Sequence, residues 1–387
     1  MKKFFIFTRA ILIASTLLAM ATSSAQTLPP PTIAAKSWLL FDATSNQVIS
    51  SQDATLRIEP ASLTKIMTAY LVFSALRDKK LDINAKVAVS TRAWKVDGSS
   101  SKMFIDPATP VSIGDLLFGL IVQSGNDASV ALAEAVAGSE DAFVVQMNRE
   151  AERLGLKSTR YGNSHGLPSP ENYSTAQDLS VLAARLIADH PEFYKTYYST
   201  KSFTYNKITQ PNRNRLLWLD PTVDGMKTGH TEAAGYCLIS SAIRPNGTGQ
   251  RRLISVVTGT TSDQVRAQES LKLLNWGFLN FDTIKLYDKG QAIVTPDIWK
   301  GKQSQIKLGF SQDQYVTLPK GSASKLKPAL ERKDPLVAPV MQNSKQGTLK
   351  MTLDGKTIAE FPVLALETVE QASIFGRAWD SVRLLFK

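Results

Sequence analysis

Apolar residues change their period several times along the chain, and each change marks an element. Leu63, Ile66, Met67, Tyr70, Leu71 and Ser74 share one face at helical spacing, which predicts a helix starting at Ser62. Pro60 fits just ahead of the first turn, where its missing N–H would have had no intrahelical partner. Upstream, Ser37 to Phe41 and Gln47 to Ser50 read as two short strands around an Asn-containing turn. From Val111 to Asp189 helical period returns in four blocks: Ile113 to Val122, Ala128 to Val136, Phe143 to Leu154, and Ala176 to Ile187. The Gly-, Pro- and Asn-rich stretch Gly162 to Asn172 interrupts them and reads as an irregular, exposed loop. After Pro211 the apolar runs Gly235 to Ile243 and Arg252 to Gly259 flank the turn Pro245-Asn246-Gly247 and predict a hairpin; Gln264 to Phe281 is helical again. Strands at both ends with helices between them predict one sheet built from distant segments, with helices on its faces.

Past Asp282 the pattern shifts to period two in lysine-rich segments: Thr283 to Tyr287, Ser304 to Phe310, and Leu349 to Leu353, which runs into the hairpin signal Asp354-Gly355. Residues 283–365 therefore read as a small all-β domain behind a larger domain over 26–282, and 387 residues suffice for two cores. The closing stretch, 366–387, places Phe375, Trp379, Val382, Leu385 and Phe386 on one helical face and Arg377, Asp380, Arg383 and Lys387 elsewhere. That is an amphipathic helix, lying either in a membrane interface or on the β domain. No interior stretch approaches the ~18 uncharged apolar residues of a spanning helix.

The first 25 residues stand apart. Lys2, Lys3 and Arg9 precede the apolar run Ala10 to Ala21, and Ser23-Ser24-Ala25 follows, the pattern of a secretory signal peptide cut after Ala25. No cysteine near the cut offers a site for lipid. Removing this segment takes away three positive charges and no negative ones, so the formal net charge falls from +11 to +8. A basic exported chain points to anionic lipid or an acidic cell-wall polymer rather than nucleic acid. Cys237 is the only cysteine, which excludes an internal disulfide, and it reads as a core residue.

Candidate chemistry centres on the start of the first helix. Three residues are nearly one turn, so Ser62 and Lys65 project from the same face, a hydroxyl within reach of an amine that could serve as its base. Spacing alone is weak, because Ser-x-x-Lys recurs at Ser99/Lys102, Ser304/Lys307, Ser322/Lys325 and Ser324/Lys327. Two further motifs distinguish the first copy: Ser124-Gly125-Asn126 between helical blocks, and Lys227-Thr228-Gly229 ahead of the strand hairpin. Together, in this order, they form the set of the serine penicillin-recognising enzymes. The histidines His165, His190 and His230 have no metal-ligand spacing.

With Gln210-Pro211-Asn212-Arg213-Asn214 and Val223 to Thr231, these motifs make the chain, from Ile33 to Lys387, resemble the low-molecular-mass penicillin-binding proteins. The likeness is to D-alanyl-D-alanine carboxypeptidases of peptidase family S11, penicillin-binding protein 5/6 type. Gly125 favours this branch, since class A β-lactamases and transpeptidases usually carry Asp there. The resemblance implies an α/β fold: a β-lactamase/transpeptidase-like domain with a helical subdomain, a small all-β sandwich, and a membrane-associated C-terminal helix. It implies a periplasmic enzyme on the outer face of the cytoplasmic membrane. Its substrates would be stem peptides of peptidoglycan ending in D-Ala-D-Ala, β-lactams would acylate it, and no cofactor is needed.

By the same resemblance Ser62 is the nucleophile, Lys65 its base in neutral form, and Ser124 the proton relay. Lys227 would help to keep Lys65 neutral. The backbone N–H groups of Ser62 and His230 would form the oxyanion hole. Asn126 would hold the substrate amide, and Lys227, Thr228 and Arg266, beside Gly229, would receive the terminal carboxylate. Arg213 contacts substrate or is a surface arginine, and His165 lines the cleft or belongs to its loop. Two other functions would use the same residues. A class A β-lactamase would need a Glu-x-x-Leu-Asn stretch, which is absent; a penicillin-sensing or wall-binding protein would acylate without turnover.

Overall fold

The computed structural model describes residues 29–96, 101–247 and 249–384. The expected signal segment, Leu385 and Phe386 lie outside the described residues. Five strands form the main sheet: β1 (Ser37–Asp42), β2 (Gln47–Gln52), β3 (Val223–Thr231), β4 (Gly235–Asn246) and β5 (Gly249–Thr260). Their order is β2-β1-β5-β4-β3, antiparallel throughout, so the first hairpin pairs with the last strand across most of the domain. The helices around it include α1 (Lys65–Arg77), α2 (Asn126–Ala137), α3 (Glu140–Arg153), α4 (Ala176–Asp189) and α5 (Asp263–Asn280).

Alternation along the strands feeds two separate cores, as the pleat requires. Leu39, Phe41, Ile239, Ile254 and Val256 pack with α1, α2 and α4, whereas Trp38, Leu40, Leu238, Leu253 and Val257 pack with Ala267, Leu273 and Leu274 of α5. The sheet is thus covered on both faces, with a helical subdomain on one of them.

One expectation about α1 changes. Leu71 and Ser74, assigned to its buried face, are only half-buried, while Ala69, Val72 and Phe73 are fully buried. The helix runs through the middle of the domain, and a helix apolar all round has no single inner face. Periodicity also missed the hairpin Ser202–Tyr205/Ile208–Pro211, closed by Asn206 and Lys207 at φ 47° and 64°. Its apolar signal is two residues long, Phe203 and Tyr205, and Phe203 stacks on Phe118.

Residues 281–365 form the β domain. Ala292–Val294, Leu308–Gly309, Lys356–Ala365, Lys345–Leu353 and Lys327–Arg332 make a five-stranded sheet in that order. Asp354 and Gly355, at φ 47° and 80°, close its central hairpin as the Asp-Gly signal predicts. Of the expected strand at 304–310, only Leu308–Gly309 joins this sheet, and Gln305 makes an isolated bridge with Asp297.

A buried ion pair joins the two domains. Asp42, at the end of β1, accepts from Arg251 Nε of β5 at 2.7 Å, from Thr283 Oγ1 at 2.5 Å and from Thr317 Oγ1 at 2.8 Å, and the last two residues belong to the β domain. Arg251 also donates to the Phe281 carbonyl at 2.6 Å, where α5 passes into the β domain. Removing one member of such a pair strands the other charge without water, at a cost of ~3–5 kcal/mol.

The chain's end departs from the expected 366–387 helix. Residues 366–373 run extended along the β domain, with Val369 buried beside Val340, and the helix covers Ile374–Leu384. Its polar face turns inward: Asp380 accepts from the Lys300 N–H at 2.6 Å, and the Arg383 guanidinium lies 5.4 Å from the Trp299 ring centre. Its apolar face points outward, with Phe375, Trp379 and Val382 exposed to 88%, 65% and 50%. Among the described residues no helix is long and apolar enough to cross a membrane.

Candidate active site

Pro60 leads into a 3₁₀ turn, Ala61–Thr64, that continues as α1. Ala61 has φ 48°, the left-handed region, a strain of ~1–3 kcal/mol for a residue with a side chain, held by close packing around it. Gly229 of β3 and Gly166 lie against this turn. A Cβ on Gly229 would sit 3.1 Å from the Pro60 carbonyl oxygen, and one on Gly166, itself at φ 86°, would overlap the Ala61 carbonyl. Both glycines let backbone close on the residue carrying the candidate hydroxyl.

Lys65, 1% exposed, is held by three oxygens. Its Nζ lies 3.0 Å from Ser62 Oγ, 2.6 Å from Asn126 Oδ1 and 2.6 Å from the His165 carbonyl. Burial pushes its pKa down from 10.5 to about 7; the Arg213 charge pushes the same way and Asp127 opposes. Lys227 is itself driven well below the usual lysine value, first by burial and then by Lys65, Arg213 and Arg266. The repulsion between the two buried amines is mutual, so their protonation is a property of the pair, and Arg213 disfavours the charged form of both.

Ser124 follows a π-helical turn, Gly119–Gln123, and adopts φ 65°, ψ 34°. Its Oγ is buried and has no hydrogen-bond partner among the described residues. Asp127, in the first turn of α2, holds the segment after Ser101 by accepting from the N–H groups of Met103 (3.0 Å) and Phe104 (2.9 Å).

These residues border a cleft of about 550 Å³, with Ser62, Ser124 and Asn126 on one side and Thr228, Gly229 and His230 on the other. β3 is the edge strand of the sheet, so along the cleft its outward backbone groups have no strand partner. Arg213 and Arg266 line the cleft as well. Arg266, reaching over from α5, donates to the Gly229 carbonyl at 3.2 Å and lies 5.5 Å from the Tyr236 ring centre. Lys227 is buried behind the lining and donates to the Thr228 carbonyl at 3.1 Å. A recess of about 670 Å³ beside Trp299 and Leu384 is larger, but no nucleophile–base pair borders it.

All ten residues singled out by motif or resemblance thus meet at one cleft, Arg213 among them. The loop expected to be exposed is so only in part, at Gly162, Pro168, Pro170 and Glu171: Ser164, His165 and Gly166 are buried, and His165 contributes its backbone oxygen rather than a lining side chain. Motif reasoning missed Ser101, Leu167, Glu232 and Tyr236 on the lining, and Glu140 beneath it. None carries a local signature. His190 follows the end of α4 and is buried against Ser74, its pKa lowered to about 4 chiefly by burial.

Comparison with known proteins agrees with this geometry. The family described as D-alanyl-D-alanine carboxypeptidase, Peptidase S11, matches residues 23–262, and the penicillin-binding protein 5 C-terminal domain matches 281–371. The chain is 43% identical over 372 residues to D-alanyl-D-alanine carboxypeptidase DacC of Escherichia coli K12, covering 95% of this chain and 92% of that one. It is 44% identical to DacA of Haemophilus influenzae over 92% of this chain and 91% of the relative. The crystal structure of penicillin binding protein 5 from Haemophilus influenzae superposes with a TM-score of 0.84 at 43% identity, covering 89% of this chain and all of that one. A hydroxyl–amine pair beside an edge strand, on a fold shared along nearly its whole length with these relatives, leads to one assignment: the chain belongs to the D-alanyl-D-alanine carboxypeptidase family, peptidase S11.

Proposed function

We propose that the cleft removes the terminal D-alanine from peptidoglycan stem peptides through an acyl-enzyme on Ser62, and that β-lactams acylate the same hydroxyl. The observation that carries this reading is the coordination of Lys65. A neutral amine has two N–H bonds and one lone pair; Asn126 Oδ1 and the His165 carbonyl accept the two bonds, and the lone pair is left for the Ser62 hydroxyl proton.

Ser62 Oγ attacks the carbonyl carbon of the penultimate D-alanine while its proton passes to Lys65. The oxyanion that forms is held by the backbone N–H groups of Ser62 and His230. When the C–N bond breaks, the proton on Lys65 travels through Ser124 Oγ to the departing amine, and D-alanine leaves. Water then attacks the ester with Lys65 again taking the proton, and Ser62 is restored. Asn126 keeps its Nδ2 for the substrate amide, since Oδ1 is engaged. The terminal carboxylate is received by Thr228, Arg266 and Lys227; a carboxylate beside Lys227 favours its charged form and offsets the burial that depresses it. Arg213 adds positive potential at the mouth. Free D-alanine assayed after incubation with a D-Ala-D-Ala peptide tests the reading: steady release supports it, and acylation by penicillin without release makes the protein a sensor.

The same reading extends to the ends of the chain. Residues 1–25 act as a signal peptide, 26–282 as the catalytic domain, and 283–365 with the extended 366–373 as a β domain. The terminal helix lies in the outer interface of the cytoplasmic membrane, so the enzyme works in the periplasm. What supports this is the orientation of the helix, whose polar side is bonded to the β domain and whose apolar side is left outward. Each large side chain contributes roughly 1.5–3 kcal/mol when fully buried, so partial immersion of Ile374, Phe375, Trp379 and Val382 gives a useful affinity. A chain ending at Ser373, which spares the buried Val369, is expected to stay soluble, keep its thermal transition and hydrolyse small peptides at the full rate, while the whole protein sediments with membranes. Sedimentation of the shortened chain, or loss of its stability, would mean that the helix is a structural element.

A further inference from the structure

The carbonyl that orients Lys65 belongs to a loop without regular structure, and a buried carboxylate holds that loop. Glu140, the first residue of α3, is 2% exposed. Its Oε1 accepts from the Ser164 N–H at 3.0 Å and from Ser164 Oγ at 2.8 Å, and lies 3.4 Å from His165 Nε2. Its Oε2 accepts from Arg92. His165 Nδ1 accepts from the Leu167 N–H at 3.1 Å, so Nε2 is the protonated nitrogen and donates toward Glu140. From the other side the Ser164 carbonyl accepts from Thr68 Oγ1 of α1 at 2.6 Å and from Ser129 Oγ of α2 at 2.8 Å. The Ser164–His165 peptide is therefore clamped between a carboxylate and the helix that carries Lys65. Burial opposes the charge on Glu140, yet the Ser164 bonds, His165 and Arg92 outweigh it and hold its carboxyl below the usual range.

We propose that Glu140 is a positioning residue for the general base: by fixing the Ser164–His165 peptide it keeps one N–H of Lys65 occupied and the amine lone pair directed at Ser62. An acid at the start of a helix is ordinarily explained by its dipole. Here the carboxylate instead bonds a loop that makes no part of that helix, and the loop's next carbonyl is a ligand of the reactive amine. The proposal rests on the reading of Lys65 as base, so its test must separate the two.

The measurement is acylation of the full chain by a fluorescent penicillin from about pH 5.5 to pH 9, with thermal transitions recorded in parallel. The charged groups that act on Lys65 are Arg213, Lys227 and Asp127, and those that face Glu140 are Arg92 and His165; all are retained in every variant. In Glu140→Ala the plateau is expected to fall at least about tenfold, the scale of a base displaced by a fraction of an ångström. Its acid limb moves to lower pH, because the ammonium form loses the His165 carbonyl as a well-placed acceptor. Glu140→Gln keeps an oxygen for Ser164 and is expected to recover the plateau to within about threefold of wild type. If Glu140→Ala does not fold, Ser164→Ala cuts the same link more gently and is expected to lower the plateau at least about threefold while the protein still melts cooperatively. An unmoved limb with losses that follow the folded fraction, or a plateau unchanged in Glu140→Ala or, where that variant does not fold, in Ser164→Ala, overturns the proposal. Failure of the underlying reading is seen elsewhere: the acid limb would then persist in Lys65→Arg.

Discussion

Ser62→Ala will abolish both D-alanine release and covalent labelling by penicillin, a loss of at least about 10⁴-fold on each. Two hydroxyls compete for the role. Ser62 Oγ has an amine at 3.0 Å, sits at the start of a buried helix and is flanked by glycines that admit the edge strand. Ser124 Oγ has no partner among the described residues, and a hydroxyl with no base beside it keeps its proton at neutral pH. Mass spectrometry of the penicilloyl peptide decides between them: the label belongs on the peptide containing Ser62, and finding it on any other serine refutes the assignment.

Lys65→Arg is expected to reduce acylation at least about 10³-fold while the protein still melts cooperatively, with stability lower by ~1–3 kcal/mol. A guanidinium is protonated at every accessible pH and has no lone pair for the serine proton, but it can still donate to Asn126 and to the His165 carbonyl. Wild-type acylation should rise with pH through about 7, where the amine loses its proton, and the substitution should remove that dependence. Acylation within about tenfold of wild type would mean that another group takes the proton. The lowered pKa also has a sign for stability. Between about 7 and 10.5 the unfolded chain binds a proton that the folded one does not, so this group makes the fold more stable as pH rises across that window.

Much of this architecture was legible in the chain, because strand alternation and helical period are enforced by the two cores that β1, β4 and β5 feed from opposite faces. The motif residues were legible for another reason: a hydroxyl, an amine and an amide have chemistry that can be named from the side chain alone. Backbone contributions have no such mark. Nothing in Ser164-His165-Gly166 announces that the histidine acts through its carbonyl, and Glu140 reads as an ordinary helix-start acid until the fold brings it under the loop. The main cause of the lowered Lys65 pKa is equally unmarked, since it is desolvation, a three-dimensional quantity. The end helix was drawn eight residues too early, at 366 instead of 374, because the amphipathic pattern does not record where the extended approach through Val369 stops.

Asp42 carries one more consequence. Its carboxylate takes bonds from both domains where it is fully buried, so a swivel of the β domain on its stem would strip that carboxylate of two hydroxyl donors. The cleft therefore has a fixed heading relative to the terminal helix. On the proposed attachment through that helix, the enzyme would behave less like a ball on a string than like a lamp on a rigid post, its opening held at one height and one angle to the surface.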